Sequence, residues 1–531
     1  MKRIGIFGWG VVAPKSPNIT IFEKNLDRAT SWLEPHHGFG PSHFLVGRPV
    51  FAFTDYKSWI DARFGPRRYP QLDEKMGNMV KYALGAFIQA LEQNPGIEQL
   101  LQHLGTRAHV YVGTGLGDFP MQYEKALHYY KAQRRWNRFW CRDAQHAELA
   151  VYRRAGIEEK ARIRGRIDAP PDPDDCADEE MRDDLAENWF AFWVNRSDGL
   201  QRYLDELKKI ESQSVTGDID TGKMHLMRRK SSERRRLNNR FGCPTEPWNA
   251  VDPKLLWNIP NIPAAQISMI GRITGPAFAP VAACAGFGTA LKMAVNAIRL
   301  GQAKAVVIGM TDPEPHPLSV GAFFGARVLS HDGRVSKPFS GLRGTHISGG
   351  ACVWIVGDAG YMKDQGFTPL GLEIISVALS ADAEHIITPS QQGPLTAIEE
   401  ALKEAGVEPA DVATWDMHAT ATPGDWTEFQ NAVRMFPGNT RFTARKGTFG
   451  HGMSVCGGWE LTAQHIGFSK GKLLPVDLDE RELHEKLRPY HRCLVGDQAV
   501  IMEGDVAGKI NMGVGGINAC VICRRWKDTC L

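Results

Sequence analysis

The sequence predicts a layered α/β fold, built twice from one strand–helix pattern and interrupted by a mainly helical insertion. Three observations carry that expectation. Short apolar runs (HVYVGTG, AKAVVIGM, ACVWIVGD, QAVIME) alternate with helical stretches such as MVKYALGAFIQALEQ, GTALKMAVNAIRLGQ and GPLTAIEEALKEAGV. Such runs are what strands buried on both faces show, and their alternation with helices implies a sheet covered by helical layers. Two passages, HVYVGTG and TWDMHATATPGD, each follow a long helix and lead into a Thr- and Gly-rich turn, which suggests internal duplication. Charge is concentrated in the middle: 48 of the 130 residues in 121–250 are charged, against 75 of the other 401.

The elements follow in order. The opening MKRIGIFGWGVVAP imitates a signal peptide, but its apolar stretch is short and reaches Pro14 without a small-residue cleavage site; it is read as a first strand. The central block runs from basic KAQRRWNR through acidic DPDDCADEE to basic MRRKSSERRR. It holds Trp136/Trp140 and Trp189/Trp193, two pairs at i, i+4, and DLAENWFAFWVNRSDGLQRYLDELKKI reads as amphipathic helix, so the block should be helical and pack its tryptophans. The net charge of +3 on 531 residues gives no whole-molecule case for nucleic acid. No apolar run approaches the ~18 residues of a membrane span. Ten scattered cysteines in a chain this long do not make a disulfide scaffold. Cys520 and Cys523 have CxxC spacing without a second CxxC, and read as a core strand rather than a metal site. The protein is expected in the cytoplasm.

Four stretches could carry chemistry. Cys284, in VAACAGFGTALKMAVNAIRLG, opens a helix among small neighbours. The positive helix end favours thiolate, so its pKa is expected below the free value of roughly 8.5. Taken alone, a buried cysteine at a tight strand–helix junction explains it as well. His418 ends a strand in TWDMHATATPGDWTEF, with Thr420 and Thr422 placing two hydroxyls on one side of an extended segment. His451 lies between glycines, five residues after Lys446 and nine before Glu460. NMGVGGINACVI is a Gly-rich turn that could aim N–H groups at an anion or be an ordinary hairpin.

Together these segments resemble the β-ketoacyl-acyl-carrier-protein synthases, the condensing enzymes of fatty acid and polyketide synthesis, of the elongating Cys-His-His type. AACAGF around Cys284, HATATPGD around His418, K-x-x-x-GH from Lys446 to His451 with Glu460 beyond, ADAEHIITP around His385, and GVGGIN at 513–518 all match, over roughly 1–120 and 260–525. The resemblance implies the thiolase fold, with an N-terminal half in 1–120 and 260–357, a charged helical insertion in 121–259, and a C-terminal half in 358–531. It implies a decarboxylating Claisen condensation. Cys284 holds the acyl group, His418 and His451 donate to the enolate oxygen, and Lys446 and Glu460 form a supporting pair. The backbone N–H groups of Cys284 and Val514 form a second oxyanion hole. Thr420 and Thr422 hold the phosphopantetheine arm, Met512 contacts substrate, and Asn518 and His385 line the mouth. No cofactor or metal is implied; the phosphopantetheine arrives on an acyl carrier protein. A homodimer is expected, with a heterodimer as the alternative.

The chain also departs from the family. Val514 stands where the family has a gating Phe, which predicts a more open acyl tunnel. The loop motif after the nucleophile helix is replaced by Arg343-Gly344-Thr345-His346 and Gly349-Gly350, and Ser340 takes the place of an Asp. These losses point to specialised lipid, polyene or polyketide synthesis. A non-catalytic chain-length-factor-like partner is the rival reading. A thiolase would want a second catalytic cysteine near the Gly-rich turn, and Cys520 has the wrong context. The basic cluster Arg228–Arg240 reads as a solvated helix face or a carrier-protein docking surface.

Overall fold

The structure is a computed structural model that describes residues 2–215, 217–386, 390–436 and 438–526. Cys530 and positions 387–389 of the ADAEHIITP motif lie outside the described residues. The chain divides into two compact units, Met1–Met121 with Leu256–Leu531, and Gln122–Leu255.

The first unit is organised by ten strands: β1 (Ile4–Val12), β2 (Ala108–Gly113), β3 (Ala277–Phe278), β4 (Ala305–Asp312), β5 (Gly350–Asp358), β6 (Leu370–Ala381), β7 (Val412–Asp416), β8 (Arg441–Thr443), β9 (Val506–Gly513) and β10 (Ile517–Arg524). They lie in the order β8-β7-β9-β10-β6-β1-β5-β4-β2-β3. From the middle outward the first half reads β1, β5, β4, β2, β3 and the second β6, β10, β9, β7, β8. In each half the first two pairings are antiparallel and the last two parallel. The same strand is first, fifth, fourth, second and third in both halves, so the fold is duplicated. Within the large sheet the two halves pair at Ile4↔Ile374 and Ile6↔Leu370.

Side-chain alternation sorts the core into layers. Val306 and Ile308 of β4 face a central cluster containing helices Gly286–Arg299 and Cys456–Ser469. Val307, between them, faces an outer cluster with helices Asn78–Glu92 and Ile262–Gly271. In the second half Trp415, Ile510 and Ile522 face the other outer layer, helices Gln392–Ala405 and Gly424–Met435. The result is helix, sheet, helix, sheet, helix. All nine residues of β1 are buried, as a strand covered on both faces requires. Cys520 faces one outer layer and Cys523 the central one, and both are free thiols. QAVIME departs from expectation. Only Val500–Ile501 pair, with Lys472–Leu473, and Ile501 is exposed, because the run sits outside the main sheet.

The unit Gln122–Leu255 is helical. Its core is aromatic: Trp136, Trp140, Trp189, Trp193, Tyr152 and Tyr203 pack on one another, with Trp189 and Trp193 edge to face at 5.5 Å. The stretch read as one long amphipathic helix is two, Glu179–Val194 and Asp198–Glu211. Ser197 caps the second by accepting the N–H of Leu200 at 3.2 Å, and that Asn-Arg-Ser-Asp start signal outweighs the continuous periodicity. The basic cluster is partly neutralised within the unit. Arg229 pairs with Glu233, Lys230 and Arg234 with Glu211, and Arg240 with Glu206.

Candidate active site

Cys284, His418 and His451 line one cavity of about 670 Å³ in the first unit, together with Thr420, Thr422, Met512 and Val514. Each arrives from a different place in the duplicated fold. Cys284 lies in the turn before the helix Gly286–Arg299, His418 two residues after β7, and His451 ahead of the helix Cys456–Ser469.

The nucleophile turn is held in an uncommon conformation. Ala283 has φ of +44°, the left-handed region that side chains rarely adopt. The Gly-rich turn closes on it so tightly that a Cβ at Gly513 would lie 3.3 Å from the backbone nitrogens of Cys284 and Ala285. That approach brings the Val514 N–H, and the N–H of Cys284 itself, to the sulfur. The thiol does not behave as the helix end alone predicted. Burial pushes it up to about 11, and Lys446 with the two N–H groups only partly offsets this.

The two imidazole rings meet edge to face, centroids 5.5 Å apart. Both are neutral at physiological pH. Burial first, then the Lys446 ammonium, holds His451 down to about 3 and His418 well below its ordinary value. Nδ1 of each ring is buried without a partner. Burying an unpaired acceptor costs less than burying an unpaired N–H, so the proton belongs on Nε2, the nitrogen left to the cavity side.

The supporting groups lie behind the rings. Lys446 and Glu460 are fully buried, with Nζ 2.7 Å from Oε1, and Lys446 also donates to the carbonyl of His418. Burial alone would neutralise Glu460; Lys446 and Lys509 overcome it and hold the carboxyl far below the usual range. Thr420 and Thr422 have their hydroxyls 3.0 Å apart. The segment is turned rather than extended, because Ala421 between them has φ of +61° and donates its N–H to Asp425 Oδ2 at 2.9 Å.

Two expected residues fall elsewhere. Neither Asn518 nor His385 lines the cavity. Asn518 is buried and donates to Asp382 Oδ1 at 2.6 Å and Ser380 Oγ at 3.2 Å, bracing the end of β6. His385 is exposed on the segment that follows β6.

Other residues carry roles the sequence did not disclose. Glu428 accepts the N–H groups of His418 (2.7 Å) and Ala419 (2.9 Å), while Asp425 accepts those of Thr420 and Ala421. Asp425 lies in the first turn of the helix Gly424–Met435, an acidic position that could have flagged it, and Glu428 lies in the next turn. Burial, with Asp425 beside it, raises Glu428 to about 7. The divergent loop has a use: the carbonyl of His346 accepts the N–H of His451 at 2.6 Å, and Ser348 donates to the carbonyl of His451 at 2.9 Å. Lys509, in the middle of β9, is the remaining surprise; a lysine inside a strand buried on both faces must find anions.

The duplicated five-layer fold thus brings a cysteine and two neutral histidines to one cavity. Two family models match parts of the chain: "Beta-ketoacyl synthase, N-terminal domain" over residues 237–357 and "Beta-ketoacyl synthase, C-terminal domain" over 372–476. Among curated relatives, the "3-oxoacyl-[acyl-carrier-protein] synthase homolog" of Saccharomyces cerevisiae is 28% identical over 288 residues, which is 52% of this chain and 64% of that protein. The chain thus spans a little under two thirds of that relative's length. Among solved structures, "The ishigamide ketosynthase/chain length factor" superposes with a TM-score of 0.64 at 17% identity, covering 99% of this chain and 100% of that one. A type II PKS acyl-carrier protein in complex with its ketosynthase bound to the hexaketide superposes at 0.63 and 16%, with 99% and 100% coverage. At these identities the likeness shows the fold.

Proposed function

We propose that this chain catalyses the decarboxylating condensation of an acyl group on Cys284 with a malonyl-type thioester, both delivered on an acyl carrier protein, and releases a β-ketoacyl product. The observation that carries it is the meeting of a cysteine and two neutral imidazoles at one cavity. In the first half-reaction Cys284 Sγ attacks the acyl thioester, and the pantetheine thiolate leaves with the proton the cysteine gives up. The oxyanion formed on the way takes the N–H groups of Cys284 and Val514. In the second, the bond between the malonyl carboxylate and C2 breaks, CO2 departs, and its electron pair moves into an enolate. Nε2–H of His418 and His451 donates to the enolate oxygen, a device worth about 3 kcal/mol per donor. C2 then attacks the acyl carbonyl and Cys284 leaves as thiolate, taking up a proton. Neutral rings are required, since imidazolium would have lost its proton to the enolate.

Thr420 and Thr422 hold the pantetheine amides, and the chain needs no cofactor of its own. The rival, a non-catalytic partner subunit, has no use for a free cysteine beside two polarised rings. The exposed edge strand β3, with Phe278 and Val281 uncovered, supports a dimer formed through that edge. Nine free cysteines among the described residues support a reducing, cytoplasmic setting. Among those residues no helix is long and apolar enough to cross a membrane. The departures at Val514 and 340–350 support a specialised lipid, polyene or polyketide pathway.

The test separates the half-reactions. Acyl carrier protein loaded with an acyl chain should leave that acyl group on Cys284, found by peptide mass. Malonyl carrier protein should then release CO2 and the β-ketoacyl product. His451→Ala should keep the first and slow the second by about 10²-fold or more. A wild-type chain that takes no acyl group sinks the proposal.

A further inference from the structure

Lys509 has no exposed surface, and its Nζ sits among four oxygens. It is 3.0 Å from the carbonyl of Met417, 2.9 Å from that of Ile510, 3.1 Å from Asp416 Oδ1 and 2.9 Å from Glu460 Oε2. An ammonium has three N–H donors, so the site is surrounded by more acceptors than a lysine alone needs. A cage of carbonyl and carboxylate oxygens that replaces a hydration shell is the environment of a desolvated monovalent cation.

The cage is joined to the catalytic groups through its own atoms. Asp416 and Met417 are the two residues before His418. Glu460 is shared with Lys446, which donates to the carbonyl of His418. Asn511 donates to Glu460 Oε2 at 3.2 Å, and Arg445 lies 3.6 Å from Asp416. Arg445, Lys446 and Lys509 therefore face the carboxyl groups of Asp416 and Glu460 in the buried interior. Two carboxylates this deeply buried are not tolerated without their cations.

We propose that Lys509 is a tethered monovalent cation: its ammonium fills an all-oxygen cage, fixes the strand end that carries His418, and makes the site independent of any free ion. Lys509 touches neither substrate nor the reacting atoms and is a positioning residue. Its effect on condensation rests on the function proposed above; the occupancy of the cage does not.

Lys509→Ala empties the cage while leaving its oxygens. Melting temperature and condensation rate are measured at constant ionic strength in potassium, ammonium or tetramethylammonium chloride, which removes differences in screening. Wild type should be indifferent to the cation. In tetramethylammonium, Lys509→Ala should lose at least about tenfold in condensation, as supporting groups behind a site do, and melt lower. Potassium or ammonium should restore part of both. Lys509→Met fills the space without charge and should not respond. Should Lys509→Ala fail to fold, Lys509→Gln, which keeps two donors, should accept an acyl group on Cys284 at the wild-type rate and condense at least about tenfold more slowly. Lys509→Ala matching wild type in tetramethylammonium, or showing no recovery in small cations, overturns the proposal, as does Lys509→Gln condensing normally. An inactive wild type would count against the function, while the melting series would still decide the cage.

Discussion

In each half of the duplicated sheet, the third strand leads into a tight turn that starts a central helix. After β3, Ala283 has φ of +44°, a single 3-10 turn spans Ala283–Ala285, and the helix begins at Gly286. After β8, Met453 has φ of +50°, a 3-10 turn spans Met453–Val455, and the helix begins at Cys456. Cys284 and Ser454 hold equivalent places. The end of the equivalent strand of the other half meets each of them. Beyond β9 comes the Val514 N–H, a donor aimed at the sulfur. At the end of β4 comes Asp312, whose Oδ2 accepts the N–H of Ser454 at 2.9 Å and its hydroxyl at 2.5 Å. The other oxygen of Asp312 accepts Thr114 Oγ1, Gly115 N and Leu116 N at 2.8–3.0 Å. One turn thus offers a thiol beside N–H donors. Its copy is tied shut by a carboxylate that already has every donor it can use. Position in the fold makes both turns possible; the group that faces each decides which one reacts.

The sharpest way to break this comparison is to disable each turn in turn. Cys284→Ala should abolish acyl-enzyme formation, a loss of about 10⁴-fold or more for a nucleophile in a cooperative site, with little change in melting temperature. Asp312→Ala should do the reverse. It strands the donors of Ser454 and the 114–116 loop without their acceptor, at a cost of about 1–3 kcal/mol for each one left unpaired, read by denaturant unfolding. Ser454→Ala removes one hydrogen bond to a charged group, for about 1.5–3 kcal/mol, and should leave thiol labelling unchanged. Loss of acylation in Ser454→Ala, with the fold intact, would show that the second turn is not merely structural.

The next test reads the sulfur directly. Burial holds the Cys284 thiol near 11, so at neutral pH almost none is thiolate. Because the folded value lies above the free one, labelling of Cys284 by iodoacetamide should rise about tenfold per pH unit from 7 to about 10. A plateau near neutrality would mean that the helix end and Lys446 outweigh burial.

The sequence disclosed the residues that meet at the cavity better than those that hold them. Cys284, His418 and His451 were legible because each stands in a run of small residues that only close backbone approach requires. The duplication was legible as repeated strand–helix alternation. Left-handed backbone at Ala283 and Met453 was not, because alanine and methionine carry no sign of it. Asp312 and Lys509 were hidden for the opposite reason. Each is a single charge at the end or middle of an apolar strand, and a strand pattern averages it away. Each has a partner more than 90 residues distant, Ser454 for Asp312 and Met417 for Lys509. Asn518 was expected at the cavity and lies off it since a motif gives order along the chain and not the direction of a side chain.

The smallest expected effect concerns Val514, at the tip of the Gly-rich turn. Val514 lines the cavity and is 43% exposed, between glycines that leave its side chain no packing partner on the turn itself. Met512, two residues earlier, packs instead against the outer core of the second half. The short isopropyl group of Val514 is what the tip of the turn presents to the cavity. Val514→Phe would put a ring where an acyl chain must pass. Short acyl chains should transfer to Cys284 at the wild-type rate. Longer ones should fall off by about tenfold or more for each methylene past the obstruction, the discrimination a hydrophobic pocket achieves per methylene. The same chain-length profile in wild type and variant would place the acyl path on the other side of Cys284, toward Leu116 and Phe323, which line the cavity from the half that carries Asp312.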